Sequence, residues 1–132
     1  MKFMLMMNAP RGDGDWNVMK WPMEAIQAHV RYMSEMTEAL QRDGELVAAE
    51  GLAPPAQARL VRAGAKGAPE VTDGPFAESK EFLAGYWIVD VETPERAHAI
   101  AAQASSAPGK DGKPLRMPIE IREVMGAPPV EP

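Results

Sequence analysis

The chain has 132 residues, a net charge of −5 and no cysteine. This length suits one domain with its own core, and the lack of cysteine excludes disulfides, thiolate catalysis and Cys-based metal sites. The acidic balance argues against a nucleic-acid-binding surface, and no apolar run approaches the roughly 18 residues of a membrane span, so we expect a cytoplasmic protein without nucleic-acid or membrane partners.

The chain opens on a strand that is followed by a long amphipathic helix. Residues 2–7 form a continuous apolar run, which is typical of a central strand covered on both faces. Pro22 can occupy the first turn of a helix, and apolar residues then recur at gaps of three and four over residues 23–40. This stripe predicts a helix of about twenty residues, which Gly44 should end.

Three short strands are predicted next, at residues 45–52, 58–61 and 70–72, and the last leads into a segment with unusual local chemistry. An Asp in a turn commonly accepts a hydrogen bond from the N–H two residues on, but at that position Pro75 has none. The Asp73 carboxylate must therefore cap the N–H of Phe76 or Ala77, find another partner, or stay available to a ligand. Pro75 also favours extended backbone at Gly74, so we expect a fixed kink.

The remaining part of the chain predicts a strand, a smaller helix and a closing strand. Residues 85–91 have the most strand-like composition. Thr93 and Pro94 are typical of the N-cap and first position of a helix, and residues 97–104 supply a narrow apolar face. Residues 119–125 alternate apolar and charged side chains, which favours a strand.

This element order predicts an α+β fold: a ferredoxin-like sandwich with both helices on one face of an antiparallel sheet. The other sheet face then needs cover. A second copy of the chain could supply it, so we expect a homodimer joined sheet to sheet. Residues 1–126 are expected to form the single domain and residues 127–132 a flexible tail.

The candidate catalytic residues are Asp73, Glu78 and His29. Two carboxylates flanking a kink could face one cleft, where mutual repulsion raises one pKa. Alternatively, Asp73 caps the backbone and Glu78 pairs with Lys80 or a partner subunit. His29 lies near the edge of the apolar stripe and could be a general base or a hydrogen-bonded boundary residue. His29 and His98 fit no local metal motif, and we expect neither metal nor cofactor.

Four further residues are candidate ligand contacts: Arg11, Gly74, Phe76 and Lys80. The planar guanidinium group of Arg11 suits a carboxylate or phosphate, and Lys80 could bind an anion or join a surface ion pair. Phe76 could stack on a ligand or anchor the kink hydrophobically. The methionines of the first helix favour a core or dimer surface, although they could also line an apolar pocket beneath the helix.

The chain resembles the YCII-related family in its DGPF-motif branch. The resemblance rests on residues 71–81, the strand at 85–89 and the segments 44–47, 51–52 and 119–122. The resemblance implies a ferredoxin-like subunit that dimerises into an α+β barrel. The family's acid–base pair, a His on the first helix and an Asp before a Pro, would fall near Met33 and at Ala107. It is therefore missing here, and His29 lies one helical turn before the first position.

Three functions follow as hypotheses. The first is a small-molecule-binding or regulatory module. The second is a cofactor-free enzyme of proton-transfer, lyase or isomerase type that acts on a small organic acid with Asp73 or Glu78 as base. The third comes from the resemblance alone, which implies an association with an extracytoplasmic-function sigma factor.

Overall fold

A computed structural model describes residues 1–11, 18–74 and 80–127 of the chain. Within these residues, two α-helices and six strands follow one another, together with two single-turn 3₁₀ helices. The elements are β1 Lys2–Pro10, α1 Met23–Arg42, β2 Leu46–Gly51, β3 Arg59–Ala63, β4 Pro69–Asp73, β5 Glu81–Asp90, α2 Pro94–Ser105 and β6 Ile119–Glu123. Residues 75–79, which include Pro75 of the expected kink, and residues 128–132 of the tail expected at 127–132 lie outside the described residues.

Four strands form one antiparallel sheet in the order β2-β5-β1-β6, whereas β3 and β4 pair separately as a hairpin. β1 lies inside the four-stranded sheet and pairs with β5 over its whole length. The predicted central strand is therefore confirmed, and so is the α+β, ferredoxin-like architecture.

Both helices share one core with the same face of the sheet. Phe3 and Leu5 of β1 lie opposite Val89 and Trp87 of β5, respectively. These four side chains are buried in one cluster with residues of both helices. The members from the helices are Met36 and Leu40 of α1 and Ala97, Ile100, Ala101 and Ala104 of α2.

The other face of the sheet has an apolar centre that is only partly buried. Met4 and Met6 of β1 lie opposite Ile88 and Tyr86 of β5, and all four side chains have intermediate exposure. Charged residues flank this centre on the outer strands, with Glu50 on β2 and Glu120 and Arg122 on β6. We call the surface formed by Met4, Met6, Tyr86 and Ile88 the open sheet face.

The helix ends follow the sequence signals. Gly44 adopts φ +74° just after α1, a conformation that costs glycine little. The Thr93 hydroxyl accepts a hydrogen bond from the Arg96 backbone N–H at 3.2 Å, which caps the start of α2. Among the described residues, no helix is both long and apolar enough to cross a membrane.

β5 begins at Glu81, four residues before the predicted start at residue 85. The extra residues pair with the end of β1, beyond an irregularity between Met7 and Asn8 where the register shifts. A bulge of this kind interrupts the alternation of side chains. The side-chain pattern of residues 81–84 therefore did not indicate that they extend β5 and pair with β1.

An ion pair joins the start of β2 to the first turn of α2. The Glu45 carboxylate accepts two hydrogen bonds from the Arg96 guanidinium, at 2.7 and 2.8 Å. These bonds hold the pKa of Glu45 below its ordinary value of 4.5. A group whose folded-state pKa is depressed stabilises the protein above its unfolded pKa, and this contribution is lost as pH falls through the folded value.

We therefore expect Glu45→Gln to lower the free energy of unfolding by about 1 kcal/mol at pH 7, near the upper end for a surface ion pair. The difference from the wild type should begin to shrink below pH 4.5, where the unfolded carboxylate becomes protonated, and should vanish below the lower folded-state pKa, where the wild-type carboxylate is protonated in both states. Urea unfolding of both proteins at pH 7 and pH 3 measures this. If Glu45→Gln lowers the free energy of unfolding by the same amount at both pH values, the contribution of the wild-type contact is not ionic.

Candidate functional site

A cleft opens between α1 and the β2–β5 side of the sheet, with a volume of about 440 Å³. Met33 and Thr37 of α1 line one wall. Met7, Ala49 and Trp87 line the opposite, sheet side. A volume in this range suits a small organic ligand. We call this feature the α1–β5 cleft; its remaining lining residues are Ser34, Glu38, Glu50, Gly51, Ala84, Gly85 and Tyr86.

A short chain of hydrogen bonds fixes the wall of the cleft. The Trp87 indole Nε1–H donates to the Thr37 hydroxyl at 3.2 Å. That hydroxyl in turn donates to the Met33 backbone carbonyl at 2.9 Å. Trp87 is 6% exposed, so this contact buries a polar N–H with its partner in place. The interaction links α1 to β5 and sets the separation of the two walls.

Two facing glycines form the β2–β5 part of the lining, since Gly51 lies opposite Gly85 in the strand register. A Cβ atom at Gly85 would lie 2.9 Å from the Glu50 backbone oxygen, too close for a non-bonded contact. At Gly51, a Cβ would have no neighbour within 4 Å. Gly85 thus allows β2 to approach β5 closely at the cleft, whereas Gly51 leaves space there.

His29 lies on the buried side of α1, with 8% of its surface exposed. Its Nδ1 is 3.0 Å from the Pro108 carbonyl oxygen, which can only accept, so Nδ1 carries the hydrogen. In the neutral ring, Nε2 is then the basic nitrogen. The Trp21 ring packs edge-on against the imidazole, with the ring centres 5.4 Å apart. His29 is thus hydrogen-bonded through Nδ1, and it does not line the α1–β5 cleft.

Asp73 is the last residue of β4, on the hairpin formed with β3. Its side chain is 93% exposed, and its Oδ1 lies 3.4 Å from the Arg59 Nε across the hairpin. The strand register accounts for this pair, since Asp73 lies directly opposite Arg59. Asp73 is not part of the lining of the α1–β5 cleft. These features favour an ion-pairing role on the hairpin surface over that of a base in a cleft.

The candidate ligand contacts fall in two places. The Arg11 N–H donates to the Lys80 carbonyl at 2.9 Å, so these two residues are neighbours where the β1–β5 ladder ends. Both are exposed. The Gly74 N–H donates to the Ala58 carbonyl at 2.9 Å and thereby extends the hairpin ladder. Phe76 and Glu78 lie outside the described residues.

The predicted site residues that the structure describes thus do not converge on one cleft. Arg11 and Lys80 are brought together, whereas His29 contacts the loop that follows α2. The apolar stripe in the sequence placed Met33 and Thr37 on one face of α1. The methionines of that helix also suggested an apolar pocket beneath it. The sequence did not identify Ala49 or Trp87, because the alignment of strands with the helix is not encoded in any local pattern.

The fold and the cleft together define an α+β, ferredoxin-like domain with a small-molecule-sized cleft between its first helix and its sheet. The chain matches the YCII-related domain over residues 1–109. It belongs to the YCII-related family. The match ends before β6, although the resemblance noted above extends to residue 122. A search of curated proteins finds no matching relative.

Proposed function

We propose that the protein binds a small molecule in the α1–β5 cleft and does so as a homodimer. The observation that supports binding is the cleft itself: about 440 Å³, lined by methionine and aromatic side chains at a helix–sheet junction. Pockets that hold organic ligands are mostly apolar with a few placed polar groups. Met7 and Met33 supply adaptable apolar contacts of the kind that accommodate varied ligands.

The contacts of Asp73 and His29, the two candidate bases that the structure describes, favour binding over catalysis. Asp73 is 93% exposed and faces Arg59, so it meets solvent rather than a bound substrate. His29 is packed beneath Trp21 and outside the lining of the cleft. A general base must lie within hydrogen-bond reach of the proton that it removes. A ligand in the α1–β5 cleft would not bring its reacting atoms to the imidazole of His29.

The homodimer is supported by the open sheet face. Its four central side chains are partly exposed and mostly apolar, while charged residues surround them: Lys2 and Asp90 at one end of the inner strands, and Glu50, Glu120 and Arg122 on the outer strands. An apolar centre with a polar rim is the usual anatomy of a protein interface. Two copies of this face, related by a two-fold axis, would each cover the other. The cytoplasmic location and the sigma-factor association stay predictions, the second from the resemblance alone.

We expect a thermal-shift screen of small apolar metabolites to find compounds that raise the melting temperature, because a ligand that binds only the folded state stabilises it. The shift should be lost in Ser34→Trp, since Ser34 is an exposed residue of the cleft lining and a bulky indole there would fill the mouth. Glu35→Trp is the matched control: it places the same side chain one residue further along α1, outside the lining.

Affinity for such a compound, measured by isothermal titration, should fall at least roughly tenfold in Ser34→Trp and stay within about twofold in Glu35→Trp. A compound that binds both variants equally does not bind in the cleft. If no compound stabilises the wild-type protein, or if none distinguishes the two variants, the cleft is not the binding site and the proposal fails.

A further inference from the structure

Gly51 is a glycine that the fold itself does not require. Four of the other glycines that the structure describes have a positive φ, which side chains rarely adopt. Four more would place a Cβ within 3.2 Å of another atom. Among the described glycines, only Gly51 has neither a positive φ nor any atom within 4 Å of such a Cβ. The first group is Gly44, Gly67, Gly112 and Gly126, and the second is Gly64, Gly74, Gly85 and Gly109.

A glycine at this place in a strand is otherwise unfavourable. Gly51 pairs with Gly85, and the ladder continues past it, because the Leu52 N–H donates to the Ala84 carbonyl at 2.8 Å. Glycine loses more backbone freedom on folding than other residues and offers no side chain to pack. β-branched residues suit such a position better. Where the fold does not require it, a glycine in a strand often marks the close approach of a ligand to the backbone.

The space left at Gly51 belongs to the α1–β5 cleft. Residues two apart on a strand face the same side of the sheet, so a side chain at residue 51 would point the same way as Ala49. Ala49 packs against the core cluster between the sheet and the helices, and both residues line the cleft. Glu50 lies between them and points with Tyr86 toward the open sheet face. A sheet-to-sheet dimer would therefore leave the space at Gly51 uncovered.

The surface at this end of the cleft is bare backbone beside methionine side chains. Gly51 and Gly85 lie directly opposite each other, so two neighbouring strands line the cleft there without a side chain. Met7 lies opposite Gly85 on the next strand, and Met33 lines the cleft from α1. Methionine sulfur makes favourable contacts with aromatic rings. A flat ring is the shape that contacts bare backbone over its whole face.

We propose that Gly51 determines which ligand the α1–β5 cleft admits, and that this ligand is a planar aromatic compound whose ring lies on the backbone at Gly51. This inference rests on the proposed binding function and specifies its contact residue and ligand class. A larger side chain at residue 51 would occupy the place of the ring without disturbing the sheet. Substitution there should therefore weaken binding and leave stability unchanged or improved.

Gly51→Val tests this separation of stability from binding. Its melting temperature, measured by differential scanning calorimetry, should equal or exceed that of the wild type, because valine favours strands and its Cβ meets no atom within 4 Å. Binding of 2-naphthol is followed by NMR, through the indole N–H signal of Trp87 and the methyl signal of Met33. The affinity should fall at least roughly tenfold in Gly51→Val and about threefold in Gly51→Ala.

Two controls accompany these variants. Val47→Leu enlarges an exposed side chain of the same strand outside the cleft lining, and its affinity should stay within about twofold of the wild type. Decahydro-2-naphthol has the carbon skeleton and hydroxyl of 2-naphthol but puckered, saturated rings. The wild type should bind 2-naphthol roughly fivefold more tightly than this compound, because only the flat ring makes face contacts with the backbone and aromatic contacts with methionine sulfur.

The outcomes separate this inference from the proposed function. If Ser34→Trp abolishes binding of a compound and Gly51→Val leaves it unchanged, the cleft is the site and the role of Gly51 is wrong. A melting temperature several degrees lower in Gly51→Val would mean that the fold requires this glycine, which also overturns the inference. Equal wild-type affinities for the two naphthol compounds would overturn the aromatic ligand class. If no compound, 2-naphthol included, binds the wild type, the proposed function fails and the inference fails with it.

Discussion

Replacing Ile88 by Asp is expected to convert the homodimer into a monomer. Ile88 is at the centre of the open sheet face, between Met4 on β1 and Ala48 on β2. In a sheet-to-sheet dimer, each protomer would contribute one such carboxylate to the interface. An unpaired buried charge costs about 3–5 kcal/mol. Two of them should weaken dimerisation by roughly 10⁴-fold or more.

Sedimentation velocity at micromolar concentrations measures the change. The wild type should sediment at twice the chain mass of 14.3 kDa, and Ile88→Asp at the chain mass itself. Val30→Asp is the matched control: it introduces the same charge at an α1 residue that is 53% exposed, and it should remain dimeric. A second variant on the open sheet face, Met6→Lys, should act in the same direction as Ile88→Asp.

Circular dichroism spectra and thermal unfolding show whether the variants still fold, which separates loss of the interface from loss of structure. The dimer proposal is wrong if the wild type sediments as a monomer at tens of micromolar. It is equally wrong if folded Ile88→Asp and Met6→Lys keep the wild-type mass.

Local patterns predicted the helices well because their signals are contained within a few residues. The gaps of three and four along α1 predicted that a helix forms, and Gly44 ends it through its own backbone preference. They placed its buried face only roughly, since Met23 and Val30 of the stripe are exposed while His29 and Met36 beside it are buried. The Thr93-Pro94 pair likewise marks the start of α2, where the Thr93 hydroxyl accepts the Arg96 N–H. Each of these predictions required only neighbours in sequence.

The site was harder to predict because its parts come from distant segments. Thr37 and Trp87 form their hydrogen bond across 50 residues, and His29 reaches Pro108 across 79. Contacts between residues so far apart in the sequence leave no periodic pattern from which they could be predicted. Asp73 shows the same limit: its local chemistry left a backbone cap, another partner or a ligand as alternatives, and only the hairpin register places it opposite Arg59.

Replacing Gly85 by Ala is expected to destabilise the protein strongly, although it adds only one methyl group. The new Cβ would lie 2.9 Å from the Glu50 backbone oxygen, and a backbone atom cannot rotate away as the end of a side chain can. β2 would have to move outward from β5, which strains its ladder hydrogen bonds. Overpacking of this kind costs about 1–3 kcal/mol, and because backbone must shift we expect the upper half of that range.

Gly51→Ala provides a control at the facing position of the same ladder. A Cβ there meets no atom within 4 Å, so this variant should unfold at the wild-type temperature or slightly above it. Differential scanning calorimetry should give a melting temperature several degrees lower for Gly85→Ala than for Gly51→Ala. Both glycines line the α1–β5 cleft, so the displacement of β2 in Gly85→Ala should also weaken binding of a compound found in the thermal-shift screen. Equal melting temperatures for the two variants would mean that the close approach of β2 to β5 at Gly85 contributes nothing to the stability of the sheet.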